Sequence, residues 1–232
     1  MITTTASVPV SRKATTPRLR SVDISGPAGR LEAVVNEGAA NASFAALVCH
    51  PHPKGGGTLH NKVVFHAMKA LNAPEWGLEC PVVRFNFRGT GLSEGVHHGQ
   101  DEVDDVLAAL NWLEQEYALP IIAVGFSFGA AMALKACTQT GADVRAVAAL
   151  GLPTYAEGHT YRYSFLKDLR MPKLFLSGDH DQYAPRAELD AIVADATDPK
   201  KLVLVPGADH FFSGQLEVMQ AQLTGWLKEQ TL

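Results

Sequence analysis

The stretch Ile121-Ile122-Ala123-Val124-Gly125-Phe126-Ser127-Phe128-Gly129-Ala130-Ala131 decides the fold. It opens on a continuous apolar run, as expected of a strand covered by helices on both faces. An alanine-rich segment, residues 130–137, follows and has helix-forming composition. Between the two lies G-x-S-x-G. The bare pentapeptide is short enough to arise by chance, but its setting of strand, tight turn and helix is the one that exposes a serine at the apex of a sharp bend. Gly125, Gly129 and the small Ala130 relieve the crowding of such a bend. The helix also aims its N-terminal dipole toward Ser127, favouring negative charge there. A serine that merely caps a helix is the simpler alternative; the strand and both glycines favour a nucleophile.

Outward from this segment the chain alternates between the same two patterns. Strands are predicted at residues 45–49, 82–87, 121–125, 144–151, 173–177 and 202–205, and helices at 61–71, 101–117, 128–137, 186–194 and 215–229. In the second helix Val103, Val106, Leu107, Leu110 and Leu113 recur at helical spacing. Upstream, residues 19–24 and 31–36 flank Gly26-Pro27-Ala28-Gly29, a turn signal, and read as an antiparallel hairpin. A hairpin followed by repeated βα units predicts an α/β fold: a mostly parallel central sheet with right-handed crossovers and helices on both faces. Reactive groups in such sheets gather at the carboxyl ends of the strands.

Composition narrows the class. Of 232 residues, 47% are hydrophobic and 19% charged, which is globular and excludes wholesale disorder. Twenty basic against 24 acidic residues leave a net charge of −4, without the basic balance expected of a nucleic-acid binder. No apolar run reaches the length of a membrane span. Three widely spaced cysteines, Cys49, Cys80 and Cys137, fit free thiols in a reducing, cytoplasmic compartment rather than a disulfide framework. Residues 1–17, rich in Ser and Thr with no acid, read as a disordered tail in preference to a transit peptide. Residues 18–232 read as one domain. Monomer and homodimer stay open.

A serine hydroxyl needs a base, and an imidazole base needs an orienting carboxylate. The chain order expected for this elbow is serine, acid, histidine. The predicted strand 173–177 runs into Gly178-Asp179-His180-Asp181, and the strand 202–205 runs into Pro206-Gly207-Ala208-Asp209-His210. Both groups therefore follow strand ends, as Ser127 does. His210 is the candidate base, and Asp179 and Asp181 are the candidate acids.

Five segments in order give the chain a resemblance. They are Cys49-His50-Pro51-His52-Pro53-Lys54-Gly55-Gly56-Gly57, Arg84-Phe85-Asn86-Phe87-Arg88-Gly89-Thr90-Gly91, and the stretches 125–129, 178–181 and 207–212. The chain resembles the α/β-hydrolases, closest to small capless serine hydrolases with an HPHP-type oxyanion loop, the dienelactone-hydrolase-like group. The resemblance implies ester-type hydrolysis without metal or organic cofactor. Its G-x-x-D spacing falls on Asp181, leaving Asp179 to brace the loop. The oxyanion donors it implies are the backbone N–H of Phe128 and one from the HPHP loop. Pro51 and Pro53 have no N–H, which leaves His52 or Lys54; if His50-Pro51 stands where relatives carry His-Gly, the donor is His52.

Other readings of single motifs are weaker. The pairs His50/His52 and His97/His98 invite a metal, but no Glu, Asp or Cys spacing completes a zinc set. Gly89-Thr90-Gly91 follows a strand, yet Glu94 stands where a dinucleotide loop needs its third glycine. Arg88 is expected to pin its loop by ion pairing. The acids at 101–105 are expected simply to favour a helix N-terminus. In the aromatic stretch 152–165, Tyr155, Tyr161 and Tyr163 either line a substrate pocket or pack a connector on the sheet edge. The expected partner is a small, short-chain ester; a thioesterase, a small peptidase or a non-catalytic hydrolase-like binding module are the alternatives.

Overall fold

A computed structural model of the protein describes residues 19–156 and 158–230. The expected N-terminal tail, residues 1–17, lies outside the described residues. The chain opens on the antiparallel pair β1 (Leu19–Gly26) and β2 (Gly29–Asn36), in register from Leu19 opposite Asn36 to Gly26 opposite Gly29. Then follow β3 (Ala45–Cys49), α1 (Lys62–Asn72), β4 (Val82–Phe85), α2 (Glu102–Tyr117), β5 (Ile121–Phe126), α3 (Phe128–Ala136) and β6 (Val144–Leu150). A two-stranded hairpin, β7 (Tyr155–Ala156) and β8 (His159–Thr160), precedes β9 (Lys173–Gly178), α4 (Arg186–Asp195), β10 (Lys200–Val205) and α5 (Leu216–Glu229). The main sheet has eight strands in the order β1-β2-β4-β3-β5-β6-β9-β10, parallel from β4 onward.

Period-two alternation decides which helix covers which face. Ala45, Leu47 and Cys49 of β3 point into a core shared with α2 and α3, where Val106, Leu110 and Leu113 form the predicted stripe. Ala46 and Val48 point the other way, against Val64 and Met68 of α1 and Leu223 and Trp226 of α5. Helices on both faces explain why β3, β4 and β5 are buried along their whole length. All three cysteines are buried and unbridged, and burial pushes the Cys80 and Cys137 thiols up to about 12.

Two differences from the expected elements have a traceable reason. β4 ends at Phe85 rather than residue 87: Asn86 N–H still donates to Glu32 O of β2 at 2.8 Å, but Asn86 O accepts from Ser93 Oγ at 2.6 Å and Phe87 N–H donates to His50 Nε2 at 3.0 Å, so the ladder stops there. The stretch read as a connector contains β7–β8, tied to the loop after β9 by Thr154 N–H on Tyr183 O at 2.8 Å. Between β6 and β9 the described residues hold that hairpin and one turn of 3-10 helix, and no cap.

Candidate active site

The parallel register aligns the strand ends: Cys49 pairs with Gly125, Phe126 with Leu150, Leu150 with Leu176, and Gly178 with Val205. The loops that leave them converge on Ser127. This residue sits at φ 55°, ψ −120°, outside the regions comfortable for an L-residue. The turn is tight because β5 and α3 cross at the backbone. A Cβ on Gly125 would lie 2.3 Å from Gly129 O, and one on Gly129 would lie 2.5 Å from both Cys49 O and His50 O. Both positions therefore require glycine. The Ser127 hydroxyl makes no capping bond to α3; Oγ lies 2.9 Å from His210 Nε2.

His210 Nδ1 is 2.9 Å from each carboxylate oxygen of Asp181. An ionised carboxylate only accepts, so the proton of a neutral ring belongs on Nδ1, leaving Nε2 to accept from Ser127. Asp181 is itself held by Ser177 Oγ at 3.1 Å and Tyr183 N–H at 2.9 Å. Serine, histidine and aspartate are all buried. The rings of Tyr183 and Phe211 flank the imidazole, their centroids 4.6 and 5.1 Å from its own. Asp179 faces elsewhere and accepts Gly207 N–H at 2.6 Å, which ties the loop after β9 to the loop after β10. Asp209 shapes the histidine's own loop, accepting from Phe211 N–H at 3.0 Å and Ser213 N–H at 2.9 Å. Those N–H groups, Ser213's foremost, hold its carboxyl below the usual range.

The opposite wall is built from the loop after β3. His50 is fully buried with both ring nitrogens engaged, Nδ1 on Pro51 O at 2.7 Å and Nε2 accepting from Phe87 N–H. Burial lowers its pKa to about 3, so it stays neutral. Neither nitrogen is left to ligate a metal, which removes the His50/His52 pair as a metal site. Lys54 N–H donates to His52 Nδ1 at 3.2 Å. The His52 ring packs edge-on against Phe128 at 5.1 Å and His97 at 4.8 Å.

Two acids of the 101–105 cluster do more than favour a helix terminus. Asp105 is fully buried and clamps Arg88 through Nε at 3.0 Å and Nη2 at 2.7 Å, with the Arg88 N–H as a further donor at 3.0 Å. These bonds raise the guanidinium pKa and pin the loop after β4 as expected of Arg88. Glu102, also fully buried, accepts His98 N–H at 2.7 Å, and its Oε1 lies 2.7 Å from His97 Nδ1. The helix-terminus expectation missed both because the partners lie upstream in a loop that only the fold brings back.

The same architecture occurs in known proteins. The family model described as an alpha/beta hydrolase domain matches residues 46–225. An uncharacterized protein of Rickettsia prowazekii is 32% identical over 210 residues, covering 87% of this chain and 86% of its own. A structure described as an alpha-beta serine hydrolase homologue from Coxiella burnetii is 33% identical, covers 93% of this chain and 100% of its own, and superposes with a TM-score of 0.80. A serine hydrolase without lid from Xanthomonas campestris is 26% identical, covering 94% and 97%, with a TM-score of 0.77. The chain belongs to the α/β-hydrolase family.

In this hydrolase the space at Ser127 is a small cavity of about 90 Å³, walled by His52, Asn61, Ala156, Tyr183, His210 and Phe211. The pocket expectation for the tyrosines is corrected here. Tyr155 is more than half exposed and none of the three lines this cavity; Tyr161 and Tyr163 line a separate one of about 280 Å³ with Met132, Lys135 and Phe165. Tyr163 instead donates its hydroxyl to Pro153 O at 2.6 Å and stacks on Tyr161, because its segment turns away beyond β8. Sequence reasoning missed Asn61, Tyr183 and Phe211. Phe211 follows His210 directly and Tyr183 lies two residues after Asp181, so adjacency marked both; nothing local marked Asn61. Among the described residues no helix is long and apolar enough to cross a membrane.

Proposed function

We propose that this α/β-hydrolase is a serine esterase that cleaves carboxylic esters of small, short-chain acyl groups. The observation that carries the reading is the continuous chain from Ser127 Oγ through His210 to Asp181, each link 2.9 Å. Acyl transfer needs a nucleophile, a base and an orienting acid in that relation. His210 takes the hydroxyl proton as Oγ attacks the carbonyl, and Asp181 stabilises the imidazolium. Phe128 N–H, at the first position of α3 where no intrahelical acceptor exists, is one oxyanion donor. His52 N–H is assigned as the other, supported by its place in the cavity wall. His210 then protonates the leaving alcohol and later activates water to release the acid. The scheme uses no metal or organic cofactor.

The small cavity and the missing cap support short acyl chains over long ones. Buried free thiols support a reducing, cytoplasmic setting. A fluorophosphonate probe is expected to label the native protein and not Ser127→Ala. Equal labelling of both, or of neither, overturns the reading. A matched ester and thioester panel then separates esterase from thioesterase.

A further inference from the structure

Beside the cavity at Ser127 lies a larger one of about 610 Å³, and the two share Asn61 and Phe211 as a common wall. We infer that the larger cavity seats the alcohol half of the substrate, and that this alcohol carries an anionic group, a carboxylate or a phosphate. The inference rests on the ester-hydrolase reading above.

The side of the site follows from the proton path. His210 must deliver its proton to the oxygen of the departing alcohol as the acyl–oxygen bond breaks, so the alcohol leaves on the histidine side of the carbonyl. Phe211 is the next residue after His210, its ring is perpendicular to the imidazole at 5.1 Å, and it lines both cavities. The larger space is therefore on the leaving-group side. The size difference says the same, since 90 Å³ admits a small acyl group and leaves the bulk of a larger ester next door.

The charge of the occupant follows from the lining. Thr58, His60 and Lys62 line the larger cavity with donors, the Ser213 hydroxyl being engaged by Asp209, and no carboxylate lines it. Lys62 has no ion-pair partner among the described residues. The Asn61 Oδ1 is taken by Val63 N–H at 2.9 Å, which leaves its NH2 as a donor at the junction of the two cavities. Phe211 and Leu216 give one apolar wall. A ligand with an apolar body and an anionic end matches this distribution; a purely hydrocarbon alcohol leaves the donors without acceptors.

The test compares acetyl esters that share one aromatic frame: para-acetoxybenzoate, para-acetoxyphenyl phosphate and the neutral para-acetoxybenzamide. Each kcat/KM is divided by the hydroxide-catalysed rate of the same ester. At low ionic strength at least one charged ester is expected to exceed the neutral one by about three- to tenfold, mainly through KM. The better of the two names the anion. Added salt should shrink the advantage. Lys62→Ala should bring the charged-to-neutral ratio close to one, whereas Lys69→Ala, two turns further along α1, should keep it. Turnover of the neutral ester with no charged advantage, or an advantage that survives Lys62→Ala, overturns this inference and leaves the hydrolase reading standing. No turnover of any ester with no fluorophosphonate labelling of Ser127 removes both.

Discussion

His50 follows β3, behind the cavity at Ser127, and His210 follows β10 and lines it; both are almost completely buried. His50 spends its ring nitrogens on two backbone groups, Pro51 O and Phe87 N–H. His210 spends its own on a carboxylate and a hydroxyl. Backbone partners cannot change protonation, so His50 is a fixed neutral bracket between the loops after β3 and β4. Asp181 accepts from a ring that Ser127 faces with a hydroxyl, which is the relation the proposed mechanism needs for His210 to take up and return a proton. Burial alone does not separate a structural histidine from a reactive one; the chemistry of the partners does.

The comparison breaks most visibly at the reactive end. Asp181→Asn should lower kcat by roughly 10⁴-fold, and His210→Ala by at least as much, with little change in fold. Retention of activity in either variant, with circular dichroism unchanged, would remove the assignment of roles. On the bracket side the damage should be to stability. Asp105→Ala strands the Arg88 guanidinium without its partner and should cost about 3–5 kcal/mol in urea unfolding. A smaller cost would mean that the loop after β4 is held by something else.

The bracket also has a pH signature. Burial lowers the His50 pKa from an ordinary 6.5 to about 3, so the unfolded chain binds a proton that the folded one refuses. The stability this group contributes is therefore full above about pH 6.5 and falls as pH drops toward about 3, by up to about 1.4 kcal/mol per pH unit. Unfolding free energies across that range should lose this component of slope in His50→Gln. An unchanged slope would show that the acid sensitivity arises elsewhere. The smallest effect is expected from Asp179→Asn, whose carboxylate is partly exposed, accepts Gly207 N–H and lies 3.9 Å from the exposed His180 Nε2: less than about 1 kcal/mol and little change in kcat. A loss as large as that of Asp181→Asn would reassign the acid.

The elbow was legible because its constraints are local. Strand, turn and helix around Ser127 depend on residues adjacent in the chain, and the two required glycines are written beside it. The strand ends were legible for the same reason, which brought Asp181 and His210 into consideration. The roles of Asp105, Glu102 and Asn61 were not. Arg88 and the cavity wall at Phe211 are distant in sequence from Asp105 and Asn61, His97 stands in the irregular loop just before the helix of Glu102, and no periodicity connects a buried carboxylate with the loop it holds.

The tyrosines mark the same boundary. An aromatic stretch after a strand end is compatible with a pocket or with packing, and the fold gives Tyr161 and Tyr163 a cavity of their own, apart from the one at Ser127. By itself the sequence determined the α/β order of elements, the elbow, and the short list of nucleophile, base and acid, because each is a short-range pattern. Tertiary structure set Asp181 rather than Asp179 against His210, as the family spacing had favoured, and it alone made His50 a neutral bracket and put a small cavity beside a large one. Those outcomes depend on which carboxyl-end loops the parallel register brings face to face, and that is a property of the folded sheet rather than of any stretch of chain.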